Sequence, residues 1–232
     1  MKIYRQSWDF ANDVLVSPSV VQAFLDQIER AIRQCYQAEP PQDQAKFIRA
    51  RIDSGHESVI EHAFFTVHIV TSRKISHQLV RHRLASFSQE STRYCNYSKD
   101  KHGNEITVIL PNKFYMVPGA MEQNLELDVN NPVHLQYQDW LLGVKSAESS
   151  YMQMIEHGAV AEEANDLLPH ATKTELVISM NPREWRWFFH ERCAKGAHPM
   201  MRELAKSILA GFHERIPILF DDRYAQFITV NG

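Results

Sequence analysis

Proline stands directly behind a serine, asparagine or histidine at four places in this chain: Ser17-Pro18, Asn131-Pro132, Asn181-Pro182 and His198-Pro199. A proline in the first turn gives up no needed N–H and brings its φ angle preset, so each pair marks a helix start. Apolar residues then follow at helical spacing. Val20, Phe24, Ile28, Ala31 and Cys35 form one face of a helix running toward Gln37. Trp140, Val144, Tyr151 and Ile155 mark one side of a helix reaching about His157, and Met201, Leu204, Ile208 and Phe212 the inner face of the last. Glu184 falls in the first turn after Asn181, where a negative charge suits the helix dipole.

The remaining elements are shorter. Pro40-Pro41 ends the first unit, and a second helix runs to about Ser54, stopped by Gly55. Phe65, Val67 and Ile69 alternate with Thr66, His68 and Val70 as in a strand, and Glu105–Leu110 and Glu175–Met180 read as two more. Ser72 is expected to cap a helix through Leu84 that turns Ile75, Leu79 and Val80 inward and ends in Arg81-His82-Arg83. Ala85 to Thr92 then reads as a hydroxyl-rich loop, and a short helix ends before Pro169. With no repeat, low-complexity tract or linker, the expectation is one α+β domain over residues 1–232, helix-rich, with few strands.

With 44% apolar and 23% charged residues the chain can bury a sizeable core. No apolar run approaches a bilayer span, and the start MKIYRQSWDF lacks a signal-peptide pattern, so a cytoplasmic protein without a membrane partner is expected. Cys35, Cys95 and Cys193 form no C-x-x-C pair and read as reduced thiols. Net charge is −3, yet between residues 73 and 93 Arg73, Lys74, Arg81, Arg83 and Arg93 face only Glu90. A positive patch on an acidic protein points to a small anion.

The eight glycines lie far apart, so neither G-x-G-x-x-G nor a P-loop exists here. Any nucleotide phosphate must be held by side chains and helix N-termini, work for which the planar arginine fork is suited. In the stretch Arg81 to Tyr94, two arginines flank a histidine, followed by hydroxyls, an amide and Arg93. Those charges also fit a solvated basic helix end with surface salt bridges. On a helix Arg81 and Arg83 would point about 200° apart and serve different ligands or subunits.

Arg81-His82-Arg83, seven residues and Ser91 resemble the RHR-x7-S signature of flavin-dependent thymidylate synthases. His56-Glu57-Ser58, Glu61-His62 and Ser76-His77-Gln78-Leu79-Val80 precede it as in that family, and Ser91-Thr92-Arg93-Tyr94 follow. Leu168-Pro169, Asn181-x-Arg183 and Phe188-Phe189-x-x-Arg192 continue the similarity, which covers roughly Ile52 to Arg215.

The resemblance implies reductive methylation of dUMP to dTMP, with 5,10-methylenetetrahydrofolate as carbon donor, FAD as hydride carrier and NADPH as reductant. It implies a small, mainly antiparallel sheet packed against helices, and self-association into a homotetramer with shared active sites. By position, FAD falls to Ser58, Arg81, His82, Arg83, Gln89, Asn181, Pro182, Arg183 and Trp187. dUMP falls to Gln78, Leu79, Val80, Arg81, Gln89, Glu90, Ser91, Thr92, Arg93, Asn165 and Arg192, with Arg93 first choice for the phosphate. Arg192 is the catalytic residue, stabilising an N3-ionised uracil. Several positions depart from the family pattern: Gln89 replaces a glutamate, Asn165 an arginine of some members and Gly196 a histidine, while His198 lies in a replaced Ala-Gln-x-Glu-Ile-Arg block.

Other chemistries fit less well. His56 and His62 with Glu57 and Glu61 match no common metal motif, and His190-Glu191 lacks a second histidine because Ala194 stands there, so no metal is expected. Cys193 reads as a packing residue rather than a nucleophile, and Ser91 as a hydrogen-bond donor, since no base is evident beside either. Trp185, Phe188 and Phe189 read as core, and Trp187 as the aromatic near FAD. A non-enzymatic nucleic-acid binder would use the same basic stretch, but the net charge and lack of a lysine-rich run oppose it. A flavin- or nucleotide-binding relative without catalysis is the other alternative, prompted by Gly196 and Asn165.

Overall fold

The computed structural model describes residues 1–11 and 17–229. Its strands are β1 (Lys2–Tyr4), β2 (Ser7–Phe10), β3 (Phe65–Ser72), β4 (Ala85–Gln89), β5 (Thr107–Ile109) and β6 (Lys173–Met180). Its α-helices are α1 (Pro18–Tyr36), α2 (Gln44–Asp53), α3 (Arg73–Leu79), α4 (Pro132–Glu156), α5 (Ala161–Ala164), α6 (Pro182–Arg192), α7 (Pro199–Arg215) and α8 (Pro217–Tyr224). All four proline pairs led by serine, asparagine or histidine open helices. Asn131 and Asn181 cap theirs through side-chain oxygens that accept from Val133 and Glu184 N–H groups, and His198 accepts from Met200 N–H. No described helix is long and apolar enough to cross a membrane.

The main sheet has the order β2-β3-β6-β4, and β1 pairs in parallel with β5 in a separate two-stranded sheet. At one end of the β3–β6 pair the Thr66 and Ser179 hydroxyls lie 2.8 Å apart. Just past the other end, Arg73 N–H donates to the Thr172 carbonyl. Residue numbers rise on one strand as they fall on the other, so the two are antiparallel. The fold is α+β with a small antiparallel sheet.

Two compact units emerge. The first comprises Met1–Ser7, Ile69–Leu79 and Ser88–Leu176. Its core sets Ile106, Val108, Leu110 and Phe114 against Tyr137, Val144 and Tyr151 of α4, with Trp140 and Ile155 partly buried alongside. The second comprises Trp8–His68, Val80–Phe87 and Val177–Gly232. Its centre is aromatic: Trp185 lies 5.0 Å from Phe212, which lies 5.1 Å from Phe220. Such pairs each contribute about 1 kcal/mol beyond simple burial. Trp185, Phe188 and Phe189 share one face of α6 at spacings of three and four, which leaves Trp187 outside at 52% exposure. Nearby, the fully buried Arg186 is clamped by the Asp222 carboxylate at 2.7 Å and by Glu57 at 2.9 Å, which holds the Asp222 carboxyl well below the usual carboxylate range despite its burial.

Three expectations need correction. The helix after Ser72 stops at Leu79 rather than Leu84, and Val80 is exposed rather than inward. Ala85–Gln89, read as part of a loop, is an edge strand, because β6 offers it a partner and tertiary pairing outweighs local preference. Cys35, placed on the inner face of α1, is exposed because the whole last turn, Gln34 to Tyr36, lies open, and Ile28 and Ile32 carry the burial. Sequence reasoning also passed over β1, β2, the 3-10 helix Glu57–His62 and α8.

Candidate active site

In the second unit the Asn181 cap and Pro182 fix where α6 begins, and hence which way its side chains project. Glu184, Trp187, Glu191 and Arg192 face the segment Arg81 to Leu84 across a cleft of about 420 Å³. A larger cleft of about 740 Å³ shares Arg83, Leu84, Glu184 and Trp187 with it and adds Asn181, Arg183 and Arg223. Both fall within or near the range typical of small-molecule sites.

His82 lies between the two walls, only 5% exposed. Its Nδ1 is 3.2 Å from Glu184 Oε1, and its Nε2 is 3.0 Å from Arg192 Nε. Arginine Nε always carries hydrogen, so Arg192 donates and His82 Nε2 accepts. The proton of the neutral ring therefore sits on Nδ1 and is donated to Glu184. Burial, and then the neighbouring Arg192 charge, lower the His82 pKa to about 4, so the imidazole is neutral at physiological pH. Burial alone raises the pKa of Glu184.

Arg81 and Arg83 carry no ion pair among the described residues. Both line the smaller cleft and Arg83 also lines the larger one, while the helix on which their divergence was argued ends before them at Leu79. The segment is not helical: Arg81 and Arg83 are exposed while His82 between them is buried. Arg183 pairs with Glu61 at 2.5 Å. The Nε of Arg223 is buried without a hydrogen-bond partner, the Asp222 carboxylate standing 4.0 Å away. Arg81, His82, Arg83, Asn181, Arg183, Trp187 and Arg192 thus gather on the cleft walls. Ser58 is exposed on the 3-10 helix and Pro182 is buried, and neither lines a cleft wall.

The first unit brings together the remaining residues. Gln89 donates its amide to the Ser76 and Thr174 hydroxyls, both at 3.0 Å. Glu90 receives the Tyr97 hydroxyl at 3.2 Å and stands 3.3 Å from Lys173. Burial, reinforced by Glu90, raises the Tyr97 pKa. The Asn165 amide donates to the Thr92 hydroxyl at 3.3 Å. Arg93 is paired with Glu162 at 2.8 Å, both groups exposed. Leu79 is buried in the core, and Gln78 is half-buried.

Cys193 is 3% exposed and burial pushes its thiol up to about 12, which agrees with a packing role. His56 bonds the Tyr36 hydroxyl. Glu184, Glu162, Lys173 and Arg223 were missed as members of these clusters. Each acts through a partner far away in sequence, or through the cleft wall, and no local signal marks that.

The fold and these clefts define a class: an α+β protein with a concavity walled by guanidinium groups and an open indole rather than by a glycine-rich loop. The family model for thymidylate synthase complementing protein matches residues 20–218, and the chain belongs to that family. It is similar to flavin-dependent thymidylate synthases from several organisms. It is 33% identical over 181 residues to that of Geobacter sulfurreducens, covering 78% of this chain and 69% of the relative. It is 34% identical over 174 residues to that of Pyrococcus furiosus, covering 75% and 64%. For Nitratidesulfovibrio vulgaris the identity is 33% over 210 residues, covering 82% and 78%.

Proposed function

We propose that this chain is a flavin-dependent thymidylate synthase, converting dUMP to dTMP with 5,10-methylenetetrahydrofolate as carbon donor, FAD as hydride carrier and NADPH as reductant. The observation that carries the reading is the arginine-walled cleft built from Arg81, Arg83, Asn181, Arg183, Trp187 and Arg192 within the matched segment.

The donor set suits FAD. Trp187 offers a flat apolar surface to an isoalloxazine or adenine ring, and Arg83, Arg183 and Arg223 can receive a pyrophosphate. The buried, unsatisfied Nε of Arg223 supports an anion there. Bound FAD supplies the hydride chemistry that no side chain provides.

The chain's own part is electrostatic. C5 of uracil is a poor nucleophile; loss of the N3 proton to solvent gives a uracil anion that a guanidinium beside the N3/C4=O edge stabilises, and the delocalised negative charge makes C5 richer in electrons. Arg192 carries that role, held by His82. Arg93 takes the dUMP phosphate in place of Glu162, while Gln78, Ser91, Thr92 and Asn165 supply polar contacts around the nucleotide. Residues 1–232 act as one synthase domain, since the matched segment includes parts of both compact units. The enzyme works in the cytoplasm as a homotetramer, a state supported by the exposure of Phe64, Leu84 and Met116, which a lone chain would leave in water.

The test is dTMP formation by purified protein supplied with FAD, NADPH, methylenetetrahydrofolate and dUMP. Arg192→Ala is expected to lower kcat by about a hundredfold or more. No dTMP from the parent protein overturns the reading, and an unchanged kcat with a raised KM reduces Arg192 to a binding residue.

A further inference from the structure

We propose that Glu184 is a positioning residue for Arg192, acting through His82: it fixes the tautomer that makes His82 Nε2 the acceptor aligning the guanidinium. The inference rests on the catalytic role given to Arg192. Its structural basis is a line of three groups, Glu184 Oε1 to His82 Nδ1 at 3.2 Å and His82 Nε2 to Arg192 Nε at 3.0 Å.

Each link constrains the next. A carboxylate only accepts, so it demands hydrogen on Nδ1, and a neutral imidazole then has a lone pair on Nε2. Arg192 Nε can only donate, so it requires that lone pair. The opposite tautomer would set two N–H groups against each other and turn the guanidinium away. Phe188, with its ring centroid 5.0 Å from that of His82 and nearly perpendicular, limits how far the imidazole can tilt to escape.

Glu184 is not explained by helix capping alone. Its backbone N–H already receives the Asn181 cap, and a first-turn carboxylate can serve the dipole from solvent. Here the carboxylate is nearly buried, with a side-chain exposure of 10%. Burying a charge is costly unless it is paired, and the partners within reach are the His82 N–H and, one bond further on, the Arg192 cation. The same logic orients metal-bound histidines by a carboxylate on the far nitrogen. In this protein the group so oriented is an arginine.

The experiment combines ¹⁵N NMR of the histidine rings with kinetics. In the ligand-free parent protein His82 should show the Nδ1–H tautomer, and a dominant Nε2–H tautomer overturns the proposal whatever the activity. Glutamine both donates and accepts, so Glu184→Gln should give a tautomer mixture and lower kcat about tenfold to a hundredfold. In an Arg192→Ala background the same substitution should cost less than about twofold, because the effect passes through Arg192. An equal loss in both backgrounds would show a merely structural role and overturn the proposal. If Glu184→Gln fails to fold, the parent tautomer still decides. If the tautomer is as expected but the parent protein makes no dTMP, the synthase reading fails while the positioning geometry stands.

Discussion

Arg192 Nε lies 3.0 Å from His82 Nε2, a contact that only an unprotonated imidazole can make. Protonation would place hydrogen on both ring nitrogens and drive the arginine off.

The first prediction is therefore an acid sensitivity. The His82 pKa falls from 6.5 to about 4 in the folded protein, so below pH 6.5 the unfolded chain takes up a proton that the native state refuses. Stability from neutral His82 is complete above the unfolded value and is lost as pH falls toward the folded one. Its upper bound is about 3 kcal/mol. Glu184, with its pKa raised by burial, acts in the opposite direction and offsets part of this. Denaturant midpoints between pH 7.5 and pH 5 should fall more steeply for the parent than for His82→Gln. Parallel curves would contradict the assignment.

The Arg93–Glu162 pair predicts a gain of function. Both side chains are exposed, at 57% and 55%, so the pair is worth at most about 1 kcal/mol. If dUMP phosphate must displace Glu162, then Glu162→Ala should lower KM for dUMP by up to about fivefold at unchanged kcat, and Arg93→Ala should raise it. No change in KM for either variant would remove Arg93 from the phosphate site.

Gly211 on α7 reverses a common rule. Glycine to alanine inside a helix usually gains about 1 kcal/mol. A Cβ at Gly211 would stand 2.2 Å from the Trp8 ring, which is anchored by its N–H donating to Ser207 at 2.8 Å. Gly211→Ala should lower the thermal midpoint by several degrees, and Gly211→Ala with Trp8→Leu should recover part of the loss. A raised midpoint in the single variant would show that the indole moves aside freely.

The helices were legible because their signals are local. Asn181-Pro182 and His198-Pro199 carry both the cap and the preset φ within two residues. Ile216-Pro217 opens α8 with the proline but without a capping side chain, and it was passed over. The stretch from Val80 to Gln89 misled because strand β4 owes its form to β6, some ninety residues on, while its own more buried face, Ala85, Phe87 and Gln89, is only partly apolar. Arg192, His82, Arg81, Arg83 and Arg183 were found by resemblance, while Arg223 was not. Glu184 was legible only as a helix-dipole charge, because its contact with His82 bridges 102 positions. Cys193, by contrast, read as packing because no base is evident beside it in the sequence, and it is 3% exposed.

The central claim is that guanidinium groups and a bound flavin, with no thiolate, make the pyrimidine reactive. A cysteine-free protein carrying Cys35→Ser, Cys95→Ser and Cys193→Ala tests it most directly, assayed for dTMP with and without added FAD after confirmation that it folds. The account predicts turnover within about tenfold of the parent when FAD is present, allowing for about 1 kcal/mol of disturbed packing at the buried Cys193 site, and none without it. Loss of dTMP formation in the folded cysteine-free protein, or methylation of dUMP without flavin, would contradict it.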